Sequence, residues 1–131
     1  MIVKGRIVNV HQFPEQVTTT TERSFLSELR KKTETRRPCL VFDCSKLRRM
    51  DIAAINLLLS CLEEVMKRNG DVRLASLRRG AETALEVTGI GRLFEVYSTI
   101  AEAVQSFQTH AASLAPLTSS TEYLDQDRYA A

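Results

Sequence analysis

Apolar residues along the first hundred or so positions switch between two rhythms, and the switching predicts an architecture. Ile2, Val3, Ile7, Val8, Val10 and Phe13 describe a short hairpin or one bent strand, with Gly5 where the chain turns at little steric cost. From Thr18 to Lys32 the spacing lengthens: Val17, Phe25, Leu26 and Leu29 share one helical face, with Glu22, Arg23, Glu28 and Arg30 opposite. That predicts a first amphipathic helix. Cys39-Leu40-Val41-Phe42 is a continuous apolar run between Pro38 and Asp43, the mark of a strand covered on both faces. It is expected at the centre of a sheet.

A second helix is predicted over residues 53–69, with Ile55, Leu58, Leu59, Leu62, Val65 and Met66 as its inward stripe. Asp51 stands where an N-cap belongs, and Asn69-Gly70 supplies a left-handed stop. Val72, Leu74, Ala75 and Leu77 form another short strand, and Ala81 to Thr88 a short helix closed by Gly89. Phe94 to Tyr97 is the last strand. Thr99 and Glu102 then have capping-box spacing ahead of a helix with Ile100, Ala103, Val104 and Phe107 inward. Strands alternating with helices require crossover connections, so the expected fold is α/β: one mainly parallel sheet of four or five strands with about four helices.

Composition adds bounds. A chain of 131 residues with 44% hydrophobic and 26% charged residues is one globular domain rather than a disordered or fibrous chain. No apolar run approaches the roughly 18–20 residues of a membrane span, and the first residues carry no signal-peptide pattern, so membrane insertion is not expected and a cytoplasmic location is. Cys39, Cys44 and Cys61 are odd in number and lack metal or redox spacing, which favours buried free thiols in a reducing compartment. The domain is expected over 1–112. Residues 113–131 have no sustained period and read as a flexible tail.

Charge is concentrated rather than excessive. Residues 30–49 hold eight cations against Glu34 and Asp43, a net of +6, within a chain whose total is +2. Phe42 is the one aromatic residue in that segment, so a solvated face is favoured over a nucleic-acid groove. A search for catalytic chemistry ends empty. Gly89-Ile90-Gly91 follows a helix where a phosphate-binding turn would precede one. His11 and His110 are read as surface groups without partners, and Glu63 and Glu64 point in different directions on one helix. Cys44 alone among the thiols has basic neighbours, Lys46, Arg48 and Arg49, a setting that admits a lowered pKa. No enzyme, catalytic residue, metal or cofactor is expected.

The join between the central strand and the second helix carries a resemblance. Leu40 to Ser45, then Met50-Asp51 opening an apolar helix, then Asn69 to Leu74, then Leu85-Glu86-Val87-Thr88-Gly89-Ile90 with Leu93-Phe94, resembles the STAS domain of bacterial anti-sigma factor antagonists over residues 2–108. The resemblance implies a partner-switching regulator of transcription that binds an anti-sigma factor of serine-kinase type. In phosphoregulated members this helix starts Asp-Ser-Ser-Gly-Leu, and phosphorylation of the first serine breaks the complex. Here Asp51 matches the Asp, but Ile52, Ala53, Ala54 and Ile55 follow, so Ile52 stands at the phosphoserine position without a hydroxyl.

The resemblance therefore implies a divergent member that docks through Arg48, Arg49, Met50, Asp51, Ile52, Ala53, Ala54, Ile55 and Asn56, an apolar helix start fringed by charge. A plainer reading stays open: Asp51 serves only as a cap, Ile52 folds into the core, and the arginines are surface charges. Phosphorylation elsewhere, at Ser45, Ser60 or Thr88, also stays open, as does a homodimer. A different functional class, a cytoplasmic STAS-type subunit of a lipid or solute ABC transport assembly, would bind an ATPase subunit instead of a sigma-pathway protein.

Overall fold

A computed structural model describes residues 2–3, 6–34 and 37–114, with side-chain surroundings given for 7–34 and 37–107. The strands are β1 (Ile2–Val3), β2 (Arg6–Gln12), β3 (Cys39–Asp43), β4 (Asp71–Ala75) and β5 (Glu95–Tyr97). The helices are α1 (Thr19–Lys32), α2 (Ile52–Met66), α3 (Arg79–Thr88) and α4 (Ile100–Leu114), with a 3₁₀ turn at Ile90–Leu93. The five strands lie side by side in chain order. β1 is antiparallel to β2, and every later pair is parallel, so the fold is the mainly parallel α/β sheet expected.

Side-chain alternation along β3 divides the core in two. Leu40 and Phe42 face α1, α2 and α3 in a cluster with Phe13, Leu47, Leu57, Leu58, Cys61 and Leu74. Cys39 and Val41 face the other way, against Ala103, Val104 and Phe107 of α4. Sheet residues pointing in opposite directions both find apolar cover, which is why the run is continuously hydrophobic. All three cysteines are buried free thiols.

The helix termini follow local chemistry. The Thr18 side chain accepts from the Thr21 N–H while Thr21 Oγ1 accepts from the Thr18 N–H, a reciprocal box built from two threonines. Thr99 Oγ1 accepts from the Glu102 N–H at 3.1 Å and caps α4. α2 ends at Met66, three residues before the expected limit; Asn69 takes the left-handed conformation at φ +59°. Gly70 is needed for a different reason from the stop assigned to it. The chain there crosses Pro38, whose carbonyl accepts from the Asp71 N–H at 2.9 Å, and a Cβ on Gly70 would lie 2.6 Å from Pro38 Cγ and nearer still to Pro38 O.

Two buried polar groups depart from the sequence reading. Arg73 sits on the α4 side of β4 with 1% of its surface exposed. Its Nε donates to Ser106 Oγ at 2.6 Å, Nη1 pairs with Asp71, and the guanidinium lies 4.1 Å from the Phe107 ring centroid. His11, expected on the surface, is buried in β2 between the rings of Phe25 and Phe42, because the strand runs on through Gln12 and closes the turn beyond it. The expected tail begins inside α4, which is described to Leu114; residues from 115 lie outside the described residues, and so does the side chain of His110.

The Pro38 crossing makes Gly70 a sensitive position. Gly70→Ala forces the starts of β3 and β4 apart and is expected to destabilise the fold by about 1–3 kcal/mol, measured by urea denaturation; an unchanged midpoint would contradict the close approach.

Candidate partner interface at the start of α2

The parallel strands all end on one side of the molecule, and three backbone hydrogen bonds tie their outgoing loops together. Phe13 N–H donates to Asp43 O at 2.8 Å, Arg48 N–H to Glu15 O at 3.0 Å, and Cys44 N–H to Ala75 O at 2.9 Å. Arg78 Nε adds a side-chain bond to Ser45 O at 3.1 Å. The β3–α2 loop is thus held between the β2–α1 and β4–α3 loops. Leu47, fully buried, anchors it from below.

At the end of this loop Asp51 is extended (φ −85°, ψ −177°), and its Oδ1 accepts from the Ala54 N–H at 2.9 Å. It is an N-cap, as expected. Ile52 follows with 77% of its surface exposed, so it does not fold into the core. Ala53 and Asn56 are exposed, Ile55 is half-buried, and Arg48 and Arg49 project into solvent. Met50 and Ala54 correct the expected surface: they are 7% and 0% exposed and belong to the core beneath it.

The correction has one cause. The inward face of α2 is Ala54, Leu57, Leu58, Cys61 and Val65; of the expected stripe, Leu58 and Val65 are buried, Ile55 and Leu62 pack half-buried at its edge, and Met66 is 56% exposed. Most of this helix's circumference is apolar, so counting hydrophobic positions leaves its rotation open. The small residues Ala54 and Cys61 take the inward face, where they let α2 pack close to the sheet.

Electrostatics at the site is surface-like. Arg48 Nε pairs with Glu15 Oε2 at 2.7 Å, with both side chains more than half exposed. Such a pair contributes at most about 1 kcal/mol. Cys44 lies under the loop, fully buried, with Sγ directed at Phe42 O. Burial, reinforced by Asp43, pushes its pKa up to about 12, so it is an unreactive thiol and not the activated one its basic neighbours suggested. Burial likewise pushes the Cys61 thiol up to about 12. Among the described residues, no group of three His, Cys, Asp or Glu side chains is placed to hold a metal ion, and no helix is long and apolar enough to cross a membrane. A groove of about 520 Å³ between α3, the 3₁₀ turn and β5, lined by Leu77, Glu82, Leu85, Glu86, Arg92 and Val96 among others, contains none of the nine candidate residues.

The chain matches the family model of the STAS domain over residues 3–103. The chain belongs to the STAS domain family. Solved structures with the same fold include an anti-sigma-factor antagonist (STAS) domain protein from Planctomyces limnophilus, 20% identical, covering 74% of this chain and 87% of that one at a TM-score of 0.64. The STAS domain of a SulP transporter from Vibrio cholerae is 19% identical, covering 81% of this chain and 84% of that one at 0.65. A sulfate transporter family protein from Wolinella succinogenes is 14% identical, covering 86% and 92% at 0.68. No curated protein matches the chain. At these identities the STAS neighbours establish the fold.

Two outcomes follow. Asp51→Ala removes a cap and is expected to lower stability by about 1 kcal/mol, while Ile52→Ala changes it by less than about 0.5 kcal/mol; a larger loss for Ile52 in chemical denaturation would mean that it is core. Burial and, second, the charge of Lys32 lower the His11 pKa below its usual 6.5, Glu28 partly opposing. The unfolded chain therefore binds the proton more readily than the folded one, and stability falls as pH drops from about 7.5 through 6.5 toward the lowered value. His11→Phe removes that component; an identical pH profile for the two proteins would contradict the burial.

Proposed function

We propose that this STAS domain is a non-enzymatic, cytoplasmic docking module of the anti-sigma-factor-antagonist kind, whose partner is a serine-kinase-type anti-sigma factor or a related regulator. The docking surface is the start of α2: Arg48, Arg49, Asp51, Ile52, Ala53 and Asn56 outside, Ile55 at the rim, Met50 and Ala54 supporting from within. The observation that carries the reading is Ile52, a large apolar side chain standing 77% exposed at a helix start. Partner-free, that exposure is unfavourable; against an apolar partner surface it is an anchor, with charged residues around it as a rim.

The same residue removes a means of release. A phosphoryl group would bring about −1.5 to −2 charges to the interface and oppose contact. Ile52 has no atom to accept one, so in this reading docking responds to partner concentration and affinity and not to kinase activity at this position.

The names of the Vibrio cholerae and Wolinella succinogenes structures support a second reading, in which the domain serves a transport assembly. Affinity capture separates the two: permease and ATPase components without any sigma-pathway protein would select the transport role.

Binding to kinase-type anti-sigma factors of the same cell is the direct test. Asp51→Lys and Ala53→Arg are each expected to weaken it about tenfold or more, a loss of roughly 1.4 kcal/mol. Melting of both variants is recorded alongside, since Asp51 is also a cap. Unchanged binding by both would exclude this surface.

A further inference from the structure

The interface reading accounts for Ile52 and its immediate neighbours but not for the cations that the fold gathers beside them. Lys46, Arg48 and Arg49 lie on the β3–α2 loop, and Arg78 and Arg79 on the next loop and the first turn of α3; all five are exposed. The hydrogen bond from Arg78 Nε to Ser45 O joins the two groups. Among the described residues, Lys46, Arg49, Arg78 and Arg79 have no carboxylate within 4 Å, and Arg48 has only the solvent-exposed Glu15. The other acids of these loops are committed to backbone: Asp43 Oδ1 accepts from the Ser45 N–H and Asp51 Oδ1 from the Ala54 N–H.

Folding physics does not ask for this placement. A helix start carries partial positive charge and unsatisfied N–H groups, and it favours Ser, Thr, Asp or Asn as cap and acids in the first turn. α3 has Glu82 as an acid in its first turn, but it opens with Arg78 at its N-cap, making no side-chain cap bond, and Arg79 at its first position. α2 has no acid in its first turn. Cations placed where a helix start disfavours them, on the loops that flank an exposed isoleucine, are the kind of local conflict that function maintains.

We infer that Arg78 and Arg79 extend the docking surface, and that the partner presents an acidic segment whose carboxylates flank an apolar contact for Ile52. The inference rests on the docking reading and adds the partner's chemistry to it. Four of the five cations are arginines, whose planar forks suit carboxylate pairs. Nucleic acid is disfavoured because the loops offer no exposed aromatic ring for stacking, Phe13 and Phe42 being fully buried. A lipid surface is disfavoured because Ile52 is the one large exposed apolar residue on these loops among the described residues.

The test uses the full chain, isotope-labelled, titrated with a synthetic peptide of alternating Glu and Leu pairs while backbone amide resonances are followed. Shifts are expected at residues 45–53 and 78–80, with affinity falling about tenfold between roughly 50 and 300 mM salt, as exposed charge pairs are screened. Arg78→Glu with Arg79→Glu should abolish the shifts; because the reversal also removes the Arg78–Ser45 bond, Arg79→Glu alone, which keeps that bond, should weaken binding while leaving melting unchanged or raised, since acids suit that helix start. A Lys-Leu peptide that binds equally well, or shifts that survive the double reversal, would overturn the inference. So would tighter binding to phosphatidylglycerol vesicles or to a DNA oligonucleotide. An anti-sigma partner that still responds to Ala53→Arg but not to the double reversal would leave the docking surface standing and remove the acidic partner.

Discussion

The ladder on either side of β3 is the constraint from which the rest follows. Five residues, Cys39–Asp43, pair in parallel with β2 on one side and β4 on the other, in registers that bring Gln12, Asp43 and Ala75 level at the sheet's end. Because the strands stop together, their loops leave together, and the loop after the central strand has a neighbour on each flank. The start of α2 is thereby presented from a fixed platform, with the two residues beneath it, Met50 and Ala54, held by the core. A docking surface of few residues needs this rigidity, since any freedom left in the loop would oppose association as lost entropy.

That platform carries one of the chain's several exposed apolar side chains, Ile52, beside a cluster of cations. Ile52 is exposed where a polar residue would serve folding equally well, and two arginines open α3 where an acid or a hydroxyl would serve it better. In the proposed docking reading, the exposed apolar side chain is an anchor that is desolvated on contact and the cations are a rim that steers approach. In the proposed reading, the absence of a hydroxyl at position 52 leaves docking there to the abundance and affinity of the partner.

Much of the fold was legible in the residues, and the reason is specific. β3 announces itself as an apolar run between Pro38 and Asp43, and the helices by period and by caps at Asp51 and Thr99; short strands between them leave few topologies once crossovers are right-handed. The candidate site was legible in location and only partly in detail. α2 is apolar around most of its surface, so its rotation could be set only by which side chains let it approach the sheet, and that choice buried Ala54 and left Met66 outside. His11 and Arg73 were misread or missed for a common reason: each is a polar residue on a strand, and only the tertiary neighbours, Phe25 and Phe42 for one, Ser106, Asp71 and Phe107 for the other, show why burial is tolerated. Arg78 and Arg79 are not legible as neighbours of the site, because the sequence places them some thirty residues from the loop they join.

The central claim is that the exposed start of α2 binds a partner that has no chemical means of ending the contact there. Its most direct measurement is the dissociation rate of the complex with a serine-kinase-type anti-sigma factor, with Mg²⁺·ATP and with a non-hydrolysable analogue. The two rates should agree within about twofold. ATP-dependent release, with phosphate found on another hydroxyl of this chain such as Ser45, would contradict the claim.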